Sequence, residues 1–145
     1  MSSGNKSLVQ TIVPIVGAFY VLIGVVGFFV TGFSNFVENT NDALLGFAIN
    51  PFHNLVHLAI GAFLILMASN KNKAVGEGAT MGVGLFYVVA FVIGVYATDN
   101  LTILSMHGYG DAENFNHLVN GVLLLSVGLI SSGQTQTTMK RQGLA

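Results

Sequence analysis

The chain has no cysteine and no tryptophan, two prolines in 145 residues, and few charges: Asp, Glu, Lys and Arg together make up 8%. Without thiols there is no disulfide, no thiolate metal site, no iron–sulfur ligation and no cysteine nucleophile. Motifs of known chemistry are also missing. There is no Gly-x-Ser-x-Gly elbow, no phosphate loop and no helical His-Glu-x-x-His. The net charge is −1 and no basic cluster occurs, which excludes the electrostatic footprint of a nucleic-acid binder. The scarcity of charge carries furthest. A soluble domain has about 25% charged residues, so the solvent for most of this surface is lipid.

What is present fits that solvent. Apolar residues make up 52% of the chain and fall into four runs, near residues 8–32, 51–69, 79–98 and 112–131. Each is close to the ~20 residues needed to cross a hydrocarbon core. Backbone in lipid must satisfy its own hydrogen bonds, so these runs are helices; barrel strands would be shorter and alternating. The first run is too long for the core of a secretion signal, and no small-residue cleavage pattern follows it. The fold class expected is all-α: an integral membrane four-helix bundle, with residues 132–145 as a disordered tail.

Charge placement orients the bundle. Lys6, Lys71, Lys73, Lys140 and Arg141 all fall on the side shared by the N-terminus, the second connection and the C-terminus. Glu38, Asp42, Asp99, Asp111 and Glu113 fall on the other side, with Glu77 the exception. The positive-inside rule then puts both termini in the cytoplasm of a bacterial plasma membrane.

The chain also repeats itself. Gly17-Ala18-Phe19-Tyr20-Val21 is matched by Gly84-Leu85-Phe86-Tyr87-Val88. Asn54-Leu55-Val56-His57-Leu58 is matched by Asn114-Phe115-Asn116-His117-Leu118. Two parallel two-helix repeats, residues 8–70 and 75–131, are the expected plan, with a pseudo-twofold axis along the membrane normal. Between the first two helices, residues 42–47 read as a short interfacial turn of helix. Asn50-Pro51 reads as an N-cap followed by proline at the first helical position. Gly108-Tyr109-Gly110-Asp111 reads as a turn leading into the fourth helix.

The phrase Asn50-Pro51-Phe52-His53-Asn54-Leu55-Val56-His57-Leu58, preceded by Leu44-Leu45-Gly46, resembles the signature of a family of small bacterial four-helix membrane proteins. Asp111-Ala112-Glu113-Asn114-Phe115-Asn116-His117-Leu118 is similar to its companion motif, Asn116 standing where an apolar residue is expected. The resemblance spans about residues 10–130. That family's domain has no assigned function, so the resemblance implies a fold and a membrane location and no activity.

One constellation has chemistry. His53 and His57 are four apart on one helix face, as are Glu113 and His117, and the repeat makes the pairs equivalent. If the second and fourth helices meet, three imidazoles and a carboxylate converge, a set that zinc, iron or copper accepts. Alternatively His57 and His117 alone would be axial ligands of a haem or other tetrapyrrole. A third possibility is a small transporter or proton path, marked only by Asn120 at depth. The blander alternative is an interhelical polar layer of Asn54, His57, Asn114, His117 and Asn120 that holds the halves together. On sequence alone the expected function is a non-enzymatic structural or accessory subunit with no cofactor, partnered by the bilayer and by other membrane proteins or further copies of itself.

Overall fold

The computed structural model describes residues 6–96, 102–105 and 110–144. Its frame is four helices: α1 (Leu8–Thr31), α2 (Pro51–Ala68), α3 (Lys73–Tyr96) and α4 (Ala112–Arg141). All four are long and apolar enough to cross a membrane, and only 22–39% of each span is buried inside the protein. The outward faces, with Ile15, Phe29, Leu66 and Leu129 well exposed, need a lipid solvent. This is a multi-pass membrane protein.

The helices pack as two hairpins, α1 on α2 and α3 on α4. Glycine sets both contacts. A Cβ on Gly17 would meet the carbonyl of Gly61 at 2.7 Å, and one on Gly84 would meet that of Gly121 at 3.0 Å. Lipid tails are as apolar as leucine, so close van der Waals packing at small residues is what favours helix association here. A core of Val9, Val13, Leu64, Ala68, Val83 and Leu124, with Tyr20 and Tyr87 above it, fills the interior.

The ends of the helices differ from the hydropathy boundaries. α3 begins at Lys73 instead of near residue 79, and α4 runs to Arg141, so the tail expected to be disordered from residue 132 is helical. Hydropathy marks where a helix leaves lipid, whereas hydrogen bonding decides where it stops. The polar extension of α4 is held by Thr135 Oγ1, which donates to Glu77 Oε1 at 2.7 Å. Lys140 and Arg141 in its last turn complement the helix dipole.

The long first outer connection is corrected more sharply. Residues 42–47 do not form a turn of helix. They make a small antiparallel hairpin, β1 (Ala43–Leu44) and β2 (Phe47–Ala48). Leu45 and Gly46 turn it with φ of 56° and 86°, the two positive values that a two-residue type I′ turn requires. Leucine is a poor residue for the left-handed region. Leu45→Asn is expected to raise stability by about 1 kcal/mol, read as a thermal midpoint a few degrees higher in detergent.

The hairpin is tied down as a cover. Thr40 Oγ1 donates to the Ile49 carbonyl at 2.9 Å, and the Phe52 amide donates to the Phe36 carbonyl at 3.0 Å. Asn50, fully buried, donates to the carbonyls of Glu38 (3.1 Å) and Ile103 (3.2 Å). It thereby joins the first outer connection to the 3-10 turn Thr102–Leu104. Asp99, His107, Gly108 and Tyr109, two of them in the turn expected before α4, lie outside the described residues.

Candidate functional site

Two caps set the phase of the helices that carry the site. Asn50 caps α2, its Oδ1 accepting from the His53 amide at 2.8 Å, with Pro51 at the first helical position as the sequence indicates. Asp111 caps α4, its Oδ1 accepting from the Glu113 amide at 3.1 Å. Each cap therefore bonds the backbone of a site residue directly. Helical spacing then points His53 and His57 from α2, and Glu113 and His117 from α4, towards the interior.

There the side chains converge beneath the cover. Glu113 Oε1 lies 3.4 Å from His53 Nε2 and 3.5 Å from His117 Nε2. One ligand atom from each of these three residues lies within 4.8 Å of the others. His53, Glu113 and His117 are 3%, 2% and 4% exposed, so the protein itself buries the cluster. His57 belongs to the layer in another way. Its ring stacks on His53 at 4.7 Å and on Tyr20 at 5.4 Å, and Tyr87 in turn lies 5.5 Å from His117. Tyr20 and Tyr87 stack on each other at 5.8 Å and floor the site.

This filling bears on what the site can hold. Tyr20 packs on the His57 ring and Tyr87 against the His117 ring, so tyrosine rings stand where a macrocycle on these two histidines would need room. The apolar side chains of Val13, Leu64, Val83 and Leu124 lie between the histidine layer and Glu77, and the buried Thr80 hydroxyl donates to the Gly76 carbonyl of its own helix. Both features weigh against the tetrapyrrole and proton-path alternatives.

A metal ion fits better. Tetrahedral coordination at about 2.0–2.1 Å puts neighbouring ligand atoms roughly 3.3 Å apart, close to the two Glu113–His separations. Charge gives a second reason. Glu113 is a buried carboxyl, and the chain's Lys and Arg all lie at the opposite end of the bundle. A bound cation would compensate it. Glu113 Oε2, His57 Nδ1 and His117 Nδ1 are buried without a hydrogen-bond partner, so the layer is not a fully satisfied polar network.

The polar layer expected between the halves is arranged differently. Asn54 turns to α1, donating from Nδ2 to Thr31 Oγ1 at 2.9 Å in the space that Gly27 leaves open. Asn120 folds back on its own helix, donating to the Asn116 carbonyl at 2.8 Å and to Asn116 Oδ1 at 2.9 Å. Neither bridges the hairpins. Asn114 is fully buried beside the cluster. Thr31→Val would leave the Asn54 amide unpaired. The expected cost is about 1–2 kcal/mol, read as a lowered unfolding midpoint in detergent.

Sequence reasoning missed a second buried carboxyl. Glu77, 3% exposed at the far end of the bundle, accepts from Ser131 Oγ at 2.9 Å as well as from Thr135. Ser131 Oγ also accepts from the Val9 amide at 3.4 Å, joining α1, α3 and α4. The available signal was Glu77 itself, the one acid on the cation-rich side.

Residues 10–130 match the model of a family described as a domain of unknown function, DUF4383. Neither the curated proteins nor the solved structures contain a match to the chain.

Proposed function

This chain belongs to the DUF4383 family, and from that premise we propose that it is a non-enzymatic membrane protein that holds a divalent transition-metal ion, of the zinc class, between His53, Glu113 and His117. The observation that carries the reading is the approach of two imidazole nitrogens to one carboxylate oxygen in a buried layer. Two nitrogens and one oxygen suit a borderline metal better than magnesium or calcium, which prefer oxygen alone. Stacking on Tyr20 and His53 holds the His57 ring beside this set. The ion would sit near the outer end of α2 and α4, with both termini in the cytoplasm, as the distribution of Lys and Arg favours. On this reading the ion links the two hairpins, which we take as duplicated units.

The second reading is structural: the histidine layer as packing between hairpins. The stacked rings of His53, His57, Tyr20 and Tyr87 support it. Cobalt(II) separates the two. Metal-free protein titrated with cobalt is expected to develop visible ligand-field bands of a low-symmetry, four-coordinate N/O site, saturating at one ion per chain. His117→Ala is expected to abolish them. Bands that are absent from the wild type, or that persist unchanged in His117→Ala, would rule out the metal reading.

A further inference from the structure

The matched phrases of the sequence relate a groove on one side of the bundle to a cavity on another. Val56, Ile60 and Phe86 line an apolar groove between α2 and α3. The residues that align with these three are Asn116, Asn120 and Phe19. They line a cavity of about 210 Å³ between α1, α4 and the β-hairpin, where Tyr20, Ile23 and Phe47 supply further walls. Two side-chain amides thus stand in the cavity where the groove has valine and isoleucine. Packing alone does not account for the exchange, since apolar side chains fill the aligned positions of the other half.

The two amides have a fixed polarity. Asn120 Nδ2 lies 2.8 Å from the Asn116 main-chain carbonyl, which can only accept, so the nitrogen belongs on that side and Oδ1 is the free end. The same Nδ2 donates to Asn116 Oδ1 at 2.9 Å, which leaves Asn116 Nδ2 as the second free end. Neither free end has a partner in the protein. Both residues are partly exposed, and neither atom is sealed in, unlike the unpartnered atoms of the histidine layer. Outside the cavity these ends would meet hydrocarbon, which satisfies neither.

We propose that this cavity binds a small neutral molecule made of one ring and a carboxamide, whose N–H donates to Asn120 Oδ1 and whose C=O accepts from Asn116 Nδ2. The free ends are an uncharged acceptor and an uncharged donor, and a carboxamide presents the complementary pair without charge. Among the described residues no Lys or Arg lines the cavity, whereas Glu113 does, which disfavours an anion. Phe19, Tyr20 and Phe47 offer ring faces and edges to an aromatic guest. Sites for drug-sized molecules run to roughly 300–1,000 Å³, so this smaller one suits a single ring. The amides lie outside the set of His53, Glu113 and His117, so binding here does not depend on an ion.

The test is a fluorine NMR titration of chelator-treated protein in mild detergent, with empty micelles as the blank. The probes are para-fluorobenzamide, the ketone para-fluoroacetophenone, which keeps the C=O and lacks the N–H, and para-fluorobenzoate. The amide is expected to saturate one site per chain and to bind about five- to tenfold more tightly than the ketone, the factor that one hydrogen bond contributes. The benzoate is expected to bind most weakly. Asn116→Val with Asn120→Ile, the side chains of the aligned positions, is expected to keep the fold and lose the preference for the amide. Ile23→Trp, which fills the cavity, is expected to remove binding, and Phe63→Trp, in the α2–α3 groove, to leave it unchanged. Equal affinity for amide and ketone, a preference for the benzoate, an amide preference that survives in the double variant, or indifference to Ile23→Trp would overturn the proposal. Should the double variant not fold, the comparison of probes on the wild type still decides. Amide binding without cobalt binding would refute the metal reading alone, and the reverse result would refute this one alone.

Discussion

Gly61→Leu is expected to destabilise the protein by at least about 3 kcal/mol, enough to leave little folded, monodisperse material in detergent. The α1–α2 contact has backbone against backbone at this point. A Cβ at residue 61 would meet the Gly17 carbonyl at 2.5 Å and the Val21 amide nitrogen at 2.8 Å, and neither can move without shifting a helix. Leucine adds three further carbons to that clash. Gly121→Leu is expected to do the same to the second hairpin, where a Cβ would meet the Gly84 carbonyl and the Val88 amide nitrogen at 3.0 Å. Gly82→Leu is the control. Nothing lies within 4 Å of a Cβ there, and the substitution adds helix propensity, so its thermal midpoint should match or slightly exceed the wild type. Equal losses at residues 61 and 82 would mean that glycine acts here through chain flexibility and not through close approach.

The second large effect is expected at Glu113 and has two parts of opposite sign. Glu113→Leu should abolish metal binding, since it removes the oxygen common to both short separations. The same change should raise the unfolding midpoint of the metal-free protein. A buried carboxyl with one unpartnered oxygen is costly, and replacing buried ionic groups with apolar ones of similar volume often stabilises by about 1–4 kcal/mol. A binding site retained for its ligand shows this trade of stability for function. If the cluster serves only to hold the hairpins together, Glu113→Leu lowers the midpoint instead. Thermal unfolding after exhaustive chelation distinguishes the two outcomes by sign.

How much of this was legible beforehand depended on the physics behind each feature. Hydropathy located the four spans because lipid imposes a length and a composition on any helix that crosses it. The N-cap at Asn50 was legible because cap chemistry is local, and so was the shared face of each site pair, because helical spacing is local as well. Convergence across helices was legible only as a condition. The sequence puts Glu113 and His117 on one face, but only packing decides that His53 joins them while His57 stacks behind. The turn of β1 and β2 escaped because its first residue is Leu45, where asparagine or glycine would have signalled positive φ. The helical extension past residue 132 escaped because its support is tertiary: Thr135 bonds to Glu77, 58 residues earlier in the chain. The partner of Asn54 was not legible, since nothing local to it points to Thr31 on another helix.

The most direct test of the metal site is equilibrium dialysis of chelator-treated protein against buffered zinc, comparing the wild type with Glu113→Leu and Thr31→Val. The account predicts one zinc per chain for the wild type and for Thr31→Val, whose altered group lies on α1 and contacts none of the three ligands. It predicts an affinity at least about 100-fold weaker for Glu113→Leu, as befits loss of a direct ligand where even outer-shell losses cost 10–100-fold. Zinc retained equally by Glu113→Leu, or no zinc on the wild type beyond that on the variant, would contradict it.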